Sequence, residues 1–517
     1  MTFGTAVAKN GGIMHPSRYT IVAQSDRQGE FLLYNTANGA FAALTVEAYA
    51  AFEAAGNAEM HAAPGAVVAE VHGTPGAAGS ADEMHGTIGA AGSAAEVHGT
   101  PGATDSAVPG AAGSFAADGG SGAAYAQQLA NLGFITELSP DEELAAYHSR
   151  MQAAWDDHST FALSLIPTYA CNFKCPYCYE QGHNAIKGKM DEQIMNAIMA
   201  FIEAHYAEHA FSSLEVQWYG GDPSLALDAV AQMSARMIAW CEERGIAYNA
   251  MMLTNANVIG EEEARTIADC RITNIMLTID GPEEIHNQRR VAANGTNSYQ
   301  RTIQAARYLR SHGITLQASM NVDRITWPLY AETRDKLLAE EGIYVNPGRL
   351  CDYGHTYGQP PFAVPTFDLL SHDEFCRLRL EQFASEPHTA PEMREMLRPI
   401  DHFCTGQSGD YFVIDCLGDV YHCDGWVGDK SFVRFNILDD PSTWKPSELT
   451  FDATRDEKCS TCEIMPICLG SCTWERTCTG MPCHPMKDYL GDYLRIYRSC
   501  FDIGEPAGIT VLAEPIA

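Results

Sequence analysis

Between residues 160 and 350 one pattern keeps recurring: a short apolar run, then a longer stretch whose apolar positions return every three or four residues. The short runs predict strands at 161–166, 214–218, 250–253, 274–279, 315–320 and 343–345. The longer stretches predict amphipathic helices at 190–209, 225–244, 261–270, 299–310 and 327–340. Strands alternating with helices fold as a parallel sheet with crossover helices. The expected class is therefore α/β, a partial (β/α)6 TIM-like barrel over about 159–385.

The pattern changes on both flanks. Residues 19–22 and 31–34 predict short strands, Asn35-Thr-Ala-Asn-Gly39 a turn, and 45–55 a helix. From Tyr125 another helix is expected, capped by Gly133 and followed by a strand. Together, 1–55 and 124–158 predict a small N-terminal α+β module. It is interrupted at 56–123 by Ala, Gly, Ser and Pro, in a repeat that sets His72, His85 and His98 thirteen residues apart. That period fits no common solenoid, and the unit lacks large apolar side chains, so the insertion is expected to be disordered. Residues 386–500 are cysteine-rich with short strands and turns, and 501–517 are expected to form a tail.

Acidic residues number 66 against 33 Lys and Arg, for a net charge of −33. So acidic a chain is not expected to bind nucleic acid or an anionic membrane. No apolar run approaches a membrane span, and the first residues lack the features of a signal peptide, which predicts a cytoplasmic protein. In a reducing compartment the 17 cysteines are expected to hold metal rather than pair as disulfides.

Directly after the first barrel strand stands Cys171-Asn-Phe-Lys-Cys175-Pro-Tyr177-Cys178. Three thiolates are one fewer than a [4Fe–4S] cube or a closed zinc site needs, which leaves a metal position open to a small molecule. Polar and glycine residues follow the other strands: Gly220-Gly221-Asp222-Pro223, Thr254-Asn255 and Asp280-Gly281-Pro282, with Ser319 and Asn321 closing the fifth. Gathered at the carboxyl edge of one sheet, they predict a pocket.

The CxxxCxxC run, with an aromatic before its last cysteine, resembles the radical S-adenosylmethionine enzymes. The resemblance implies one [4Fe–4S] cluster on Cys171, Cys175 and Cys178, whose free iron chelates S-adenosylmethionine. It places Tyr177, Gly220, Gly221, Asp222, Thr254, Asn255, Ser319 and Asn321 around that cosubstrate. The Gly220-Gly221-Asp222 turn would receive the methionine ammonium. Asp stands where the family more often has Glu.

A second set of cysteines comprises Cys404, Cys423 with four residues between it and Gly418, and Cys459-x2-Cys462-x5-Cys468-x3-Cys472, with Cys478, Cys483 and Cys500 downstream. Taken alone, the CxxC start also fits zinc. In this company the spacing resembles the SPASM domain, which implies two auxiliary [4Fe–4S] clusters and three in all. By resemblance Cys404, Cys423 and Cys472 serve one, with Cys416 or an open iron as the fourth position. Cys459, Cys462, Cys468 and Cys483 serve the other, with Cys478 or Cys500 as alternatives to Cys483. Cys241, Cys270, Cys351 and Cys376 read as small core residues.

Asp424 follows Cys423 at a place where the related anaerobic sulfatase-maturing enzymes have a proton acceptor, and it reads equally as a solvated turn residue before Gly425. The resemblance further implies a low-potential electron donor of flavodoxin or ferredoxin type. The N-terminal module looks like the accessory module of peptide maturases. The leading expectation is therefore a maturase that forms Cys thioether crosslinks in a ribosomally made precursor peptide, through a 5′-deoxyadenosyl radical. The alternative enzyme oxidises Cys or Ser in a sulfatase to formylglycine. An iron–sulfur electron carrier or a zinc-stabilised binding protein would use the same cysteines without needing a cosubstrate pocket.

Overall fold

The computed structural model describes residues 14–57, 122–178, 180, 186, 188–351, 367–407, 409–444, 451–474, 476 and 483–516. The repeat with His72, His85 and His98 lies outside them, as does Cys478.

The chain opens with β1 (His15–Pro16), β2 (Thr20–Gln24), β3 (Glu30–Asn35), β4 (Phe41–Thr45) and α1 (Val46–Asn57). After the repeat come α2 (Gly122–Asn131), β5 (Ile135–Thr136) and α3 (Pro140–Trp155). β4 has no counterpart among the predicted strands. Its Phe-Ala-Ala-Leu-Thr sequence has weak β propensity, but pairing along β3 (Leu32↔Ala43, Leu33↔Ala42) overrides that. Its small side chains pack with Phe52 of α1 and Leu129 of α2 in one core. α3 starts with a capping box in which Ser139 and Glu142 satisfy each other's backbone N–H.

The barrel follows in the expected alternation: β6 (Thr160–Leu165), α4 (Glu192–His209), β7 (Ser213–Trp218), α5 (Leu227–Arg244), β8 (Ala247–Leu253), α6 (Glu261–Asp269), β9 (Ile272–Thr278), the short α7 (Glu283–Arg289), α8 (Ser298–Ser311), β10 (Thr315–Val322), α9 (Trp327–Glu341) and β11 (Ile343–Arg349). The six strands are parallel and neighbours in sequence are neighbours in the sheet. Each alternates its two faces. Leu163, Leu165, Val216, Trp218, Met252 and Leu277 are buried among the helices. Ser164, Gln217 and Met251 stand side by side on the opposite face, the inside of the open barrel.

Next come α10 (His372–Ala384), α11 (Ala390–Leu397), β12 (Tyr411–Ile414), β13 (Asp419–Tyr421), β14 (Phe435–Asn436), the single turn α12 (Met465–Cys468), α13 (Leu490–Ser499) and β15 (Ile509–Ala513). β12 pairs in parallel with β6, so the cysteine-rich region extends the barrel sheet, ending at β14. Residues 501–517 are not a free tail: β15 pairs antiparallel with β4 and completes the N-terminal sheet as β15-β4-β3-β2. The last strand thus shares a sheet with β2, β3 and β4 from the start of the chain, and Arg498 of α13 forms a buried ion pair with Glu30 of β3.

Candidate functional site

The loop after β6 carries Cys171, Cys175 and Cys178 and is pinned to the segment after α7. Lys174 N–H donates to Val291 O and Ala293 N–H to Asn172 O, each at 2.8 Å. The Arg290 guanidinium sits 5.5 Å from the centre of the Phe173 ring and donates to the Tyr177 hydroxyl at 2.9 Å. That hydroxyl donates to Asp280 at the end of β9. Tyr177 therefore braces the loop against the end of β9 and the segment after α7.

Burial pushes all three thiols up, Cys171 to about 12, and nearby carboxylates and thiolates push further, while Arg290 pulls Cys171 and Cys175 down. Buried thiols so close together cannot all ionise unless a cation joins them. Phe173 N–H and Asn255 Nδ2 lie 3.4 and 3.8 Å from Cys171 Sγ, donors suited to a sulfur that carries charge. The residues present thus fit a metal centre.

After β7 the chain turns tightly against this loop. Gly220 has φ +110°, and a Cβ on Gly221 would stand 2.3 Å from Tyr169 O and 2.5 Å from Ala170 O. Only glycine permits that approach. Asp222, expected to receive an ammonium, spends its carboxylate on the protein. Oδ1 accepts from Ser224 N–H and the Thr254 hydroxyl, both at 2.9 Å, and Oδ2 from Asn255 N–H at 2.8 Å. The side chain is a buried brace between β7 and β8. Asn255 also donates to Asn172 at 2.7 Å, tying the end of β8 to the cysteine loop. Asn321 donates to Asp280 through its backbone N–H (3.0 Å) and side chain (3.1 Å). Ser319 sits on the same strand end, beside the close-packed Gly348.

Asp424 is not a solvated turn residue. Its Oδ1 accepts from Ser164 of β6 at 2.6 Å, and its Oδ2 from Tyr411 of β12 at 2.6 Å and Gln217 of β7 at 3.2 Å. Burial pushes its carboxyl up although these donors pull it down. Glu180, which the sequence did not single out, is buried between the two regions, and its Oε1 has no hydrogen-bond partner among the described residues. Burial and the charges of Asp424 and Asp222 raise its carboxyl to about 7. The signal for Ser164, Gln217 and Tyr411 was their inward position on strands, which register alone reveals.

Cys404, Cys423 and Cys472 lie near one another and near Asp424, each an electrostatic neighbour of Cys423. Cys416 sits apart, its Sγ 3.1 Å from where a Cβ on Gly188 would stand. Cys459, Cys462, Cys468 and Cys483 line one cavity together with Arg476 and Lys487. Arg476 donates to Cys459 Sγ at 3.0 Å and Lys487 to Cys483 Sγ at 3.8 Å. Cys500 is elsewhere, on the last turn of α13, donating to Ile496 O. Cys241, Cys270, Cys351 and Cys376 are buried in packed core.

Residues 165–327 match the sequence model of the Radical SAM superfamily. The chain carries a radical SAM domain. Such a domain marks an enzyme, and it implies S-adenosylmethionine and one [4Fe–4S] cluster. The cysteine-type anaerobic sulfatase-maturating enzyme of Clostridium perfringens (strain 13 / Type A) is 23% identical over 373 residues, 66% of this chain and 95% of that one. An uncharacterized protein of Methanocaldococcus jannaschii is 26% identical over 283 residues, 53% of this chain and 90% of that protein. Among solved structures, native anSMEcpe with bound AdoMet and Cp18Cys peptide is similar in fold, with TM-score 0.50 and 18% identity. It covers 65% of this chain and 96% of its own. No helix among the described residues is long and apolar enough to cross a membrane.

Proposed function

We propose that this radical SAM enzyme modifies a cysteine in a precursor peptide, joining the Cys sulfur to a carbon as a thioether. The observation that carries the reading is the placement of Asp424. It stands on the inner barrel face, held by the strands that lead to Cys171 and Gly220, and beside Cys404, Cys423 and Cys472. A peptide thiol entering the barrel would meet a carboxylate and a metal-binding thiol group at one point.

In this reading Cys171, Cys175 and Cys178 hold the radical cluster, Cys404, Cys423 and Cys472 a first auxiliary cluster, and Cys459, Cys462, Cys468 and Cys483 a second. With bound S-adenosylmethionine and a low-potential flavodoxin or ferredoxin as donor, these groups supply a hydrogen-abstracting radical and an acceptor for the surplus electron. The chain's own task is to fix the peptide and move its proton. Asp424, oriented by Ser164, Tyr411 and Gln217, takes the thiol proton, and the polar inner face holds the peptide backbone. The N-terminal sheet, closed by β15, is the candidate for gripping the precursor. That the similar anSMEcpe structure contains Cp18Cys peptide supports a peptide substrate.

Formylglycine formation is the second reading, favoured by the Clostridium perfringens relative and by the same Asp424. Co-expression with a cysteine-bearing peptide, followed by mass spectrometry, separates the two. Loss of two hydrogens with a thiol that no longer alkylates marks a thioether; conversion of thiol to aldehyde marks formylglycine. An unmodified peptide with active cosubstrate cleavage would count against this substrate class. Reconstitution should yield about twelve irons per chain. Cys175→Ala should abolish deoxyadenosine release while the iron held by the C-terminal cysteines remains.

A further inference from the structure

At the amino-terminal edge of the sheet, opposite the site just described, four metal-ligand side chains meet. His158 lies just ahead of β6, His205 and His209 on the last turn of α4, and Asp410 immediately ahead of β12. One ligand atom from each of His158, His209 and Asp410 falls within 4.8 Å of the others. His158 Nδ1 is 2.7 Å from Asp410 Oδ2, and His205 Nε2 is 3.1 Å from Asp410 Oδ1. The imidazole rings crowd together, His158 to His209 at 3.9 Å and His205 to His209 at 4.7 Å between centres. This group was not legible in the sequence, because its members are scattered over 250 residues and fit no ligand spacing.

Hydrogen bonding accounts poorly for such a cluster. One carboxylate compensates one imidazolium, and three protonated rings at these separations would repel one another. His205 Nε2 is buried and close to Asp410, yet its geometry makes no good hydrogen bond. Asp410 is 3% exposed, so its carboxylate faces these rings rather than water. The cluster also stands at the carboxyl end of an 18-residue helix, where the backbone dipole favours a cation.

We propose that His158, His209 and Asp410, with His205 beside them, bind one divalent transition-metal ion of the zinc type. Imidazole and carboxylate are the ligands zinc takes alongside thiolate, and bonds of about 2.0–2.1 Å place tetrahedral ligand atoms roughly 3.3 Å apart. The His158–Asp410 and His205–Asp410 contacts are near that spacing, and His209 falls within 4.8 Å of His158 and Asp410. Three segments meet here: the entry to β6, the end of α4 and the entry to β12. The ion would clip the cysteine-rich region to the barrel at the edge remote from the chemistry. β6 has six residues, so the ion would sit about 20 Å from the cysteine loop.

The test uses the iron-reconstituted enzyme, washed with a weak chelator, given zinc and desalted. Elemental analysis is expected to find one zinc per chain beyond the cluster iron. Zinc-edge X-ray absorption is expected to show nitrogen and oxygen neighbours with no sulfur at about 2.3 Å. His209→Gln and His158→Ala should each lose that zinc, or bind it at least about tenfold more weakly, while iron content and deoxyadenosine formation stay at the wild-type level. Those two readouts also show that the variants fold. Failure to retain zinc, a sulfur-only shell, or full retention in a variant that combines both substitutions would each overturn the proposal.

Discussion

Ser164 donates a 2.6 Å hydrogen bond to Asp424 Oδ1, joining the first barrel strand to a residue 260 positions later. Tyr411 and Gln217 hold the other oxygen, so the carboxylate is fixed in direction before any substrate arrives. Asp424→Asn keeps the shape and removes the charge. Peptide modification is expected to fall by about 10²–10⁴-fold, the usual range for loss of a general base, while cosubstrate cleavage persists. A loss of less than about tenfold, measured on the same peptide, would show that another group takes the proton.

The turn after β7 tests the cosubstrate side. In Gly221→Ala the new Cβ would meet two backbone oxygens, Tyr169 O and Ala170 O, neither of which can rotate away. The loop that carries Cys171 must shift instead. Strain of this kind costs about 1–3 kcal/mol. S-adenosylmethionine binding to the reconstituted variant should therefore weaken by roughly ten- to a hundredfold, read by equilibrium dialysis. Unchanged affinity would separate this turn from the cosubstrate site.

The barrel was legible because each strand alternates faces strictly and each helix keeps its apolar stripe. β7 and β10 were placed within two residues of their observed ends for that reason. β4 was not legible, since Ala42 and Ala43 favour helix and only pairing with β3 and β15 makes them a strand. β15 itself, five residues near the chain end, has no partner in its local sequence. At the site, cysteine spacing carried far more than carboxylates did. Cys459, Cys462, Cys468 and Cys483 share one cavity. The bracing contacts of Asp222 were not legible, because a motif says which residue is present, not where its oxygens point. Glu180 and the imidazole cluster depend on tertiary contacts alone.

Arg498 and Glu30 form a buried bidentate pair at 2.8 and 3.0 Å, 468 residues apart. Both side chains are almost fully excluded from water, at 4% and 1% exposure. Arg498→Met leaves a buried carboxylate without its cation and should destabilise the N-terminal sheet by about 3–5 kcal/mol. Glu30→Leu combined with Arg498→Met should recover most of that loss. Urea unfolding of both variants decides, because equal destabilisation would mean the pair matters through packing rather than charge.

His286 offers a pH test away from the metal-binding cysteines. It lies on α7, fully buried, edge-on to Tyr299 at 5.6 Å, and neither ring nitrogen has a hydrogen-bond partner among the described residues. Burial, aided by Arg290, pushes its pKa down to about 3. Between the ordinary histidine value of about 6.5 and about 3, the unfolded chain therefore holds a proton that the folded chain refuses. The stability this residue allows is complete above pH 6.5 and declines as acid is added, by about 1.4 kcal/mol per pH unit. His286→Phe keeps the ring contact and removes the titration. Its unfolding free energy should drop less than that of the wild type between pH 7.5 and 5.5, by about 1.4 kcal/mol. Parallel pH profiles for the two proteins would mean that His286 takes up its proton inside the fold.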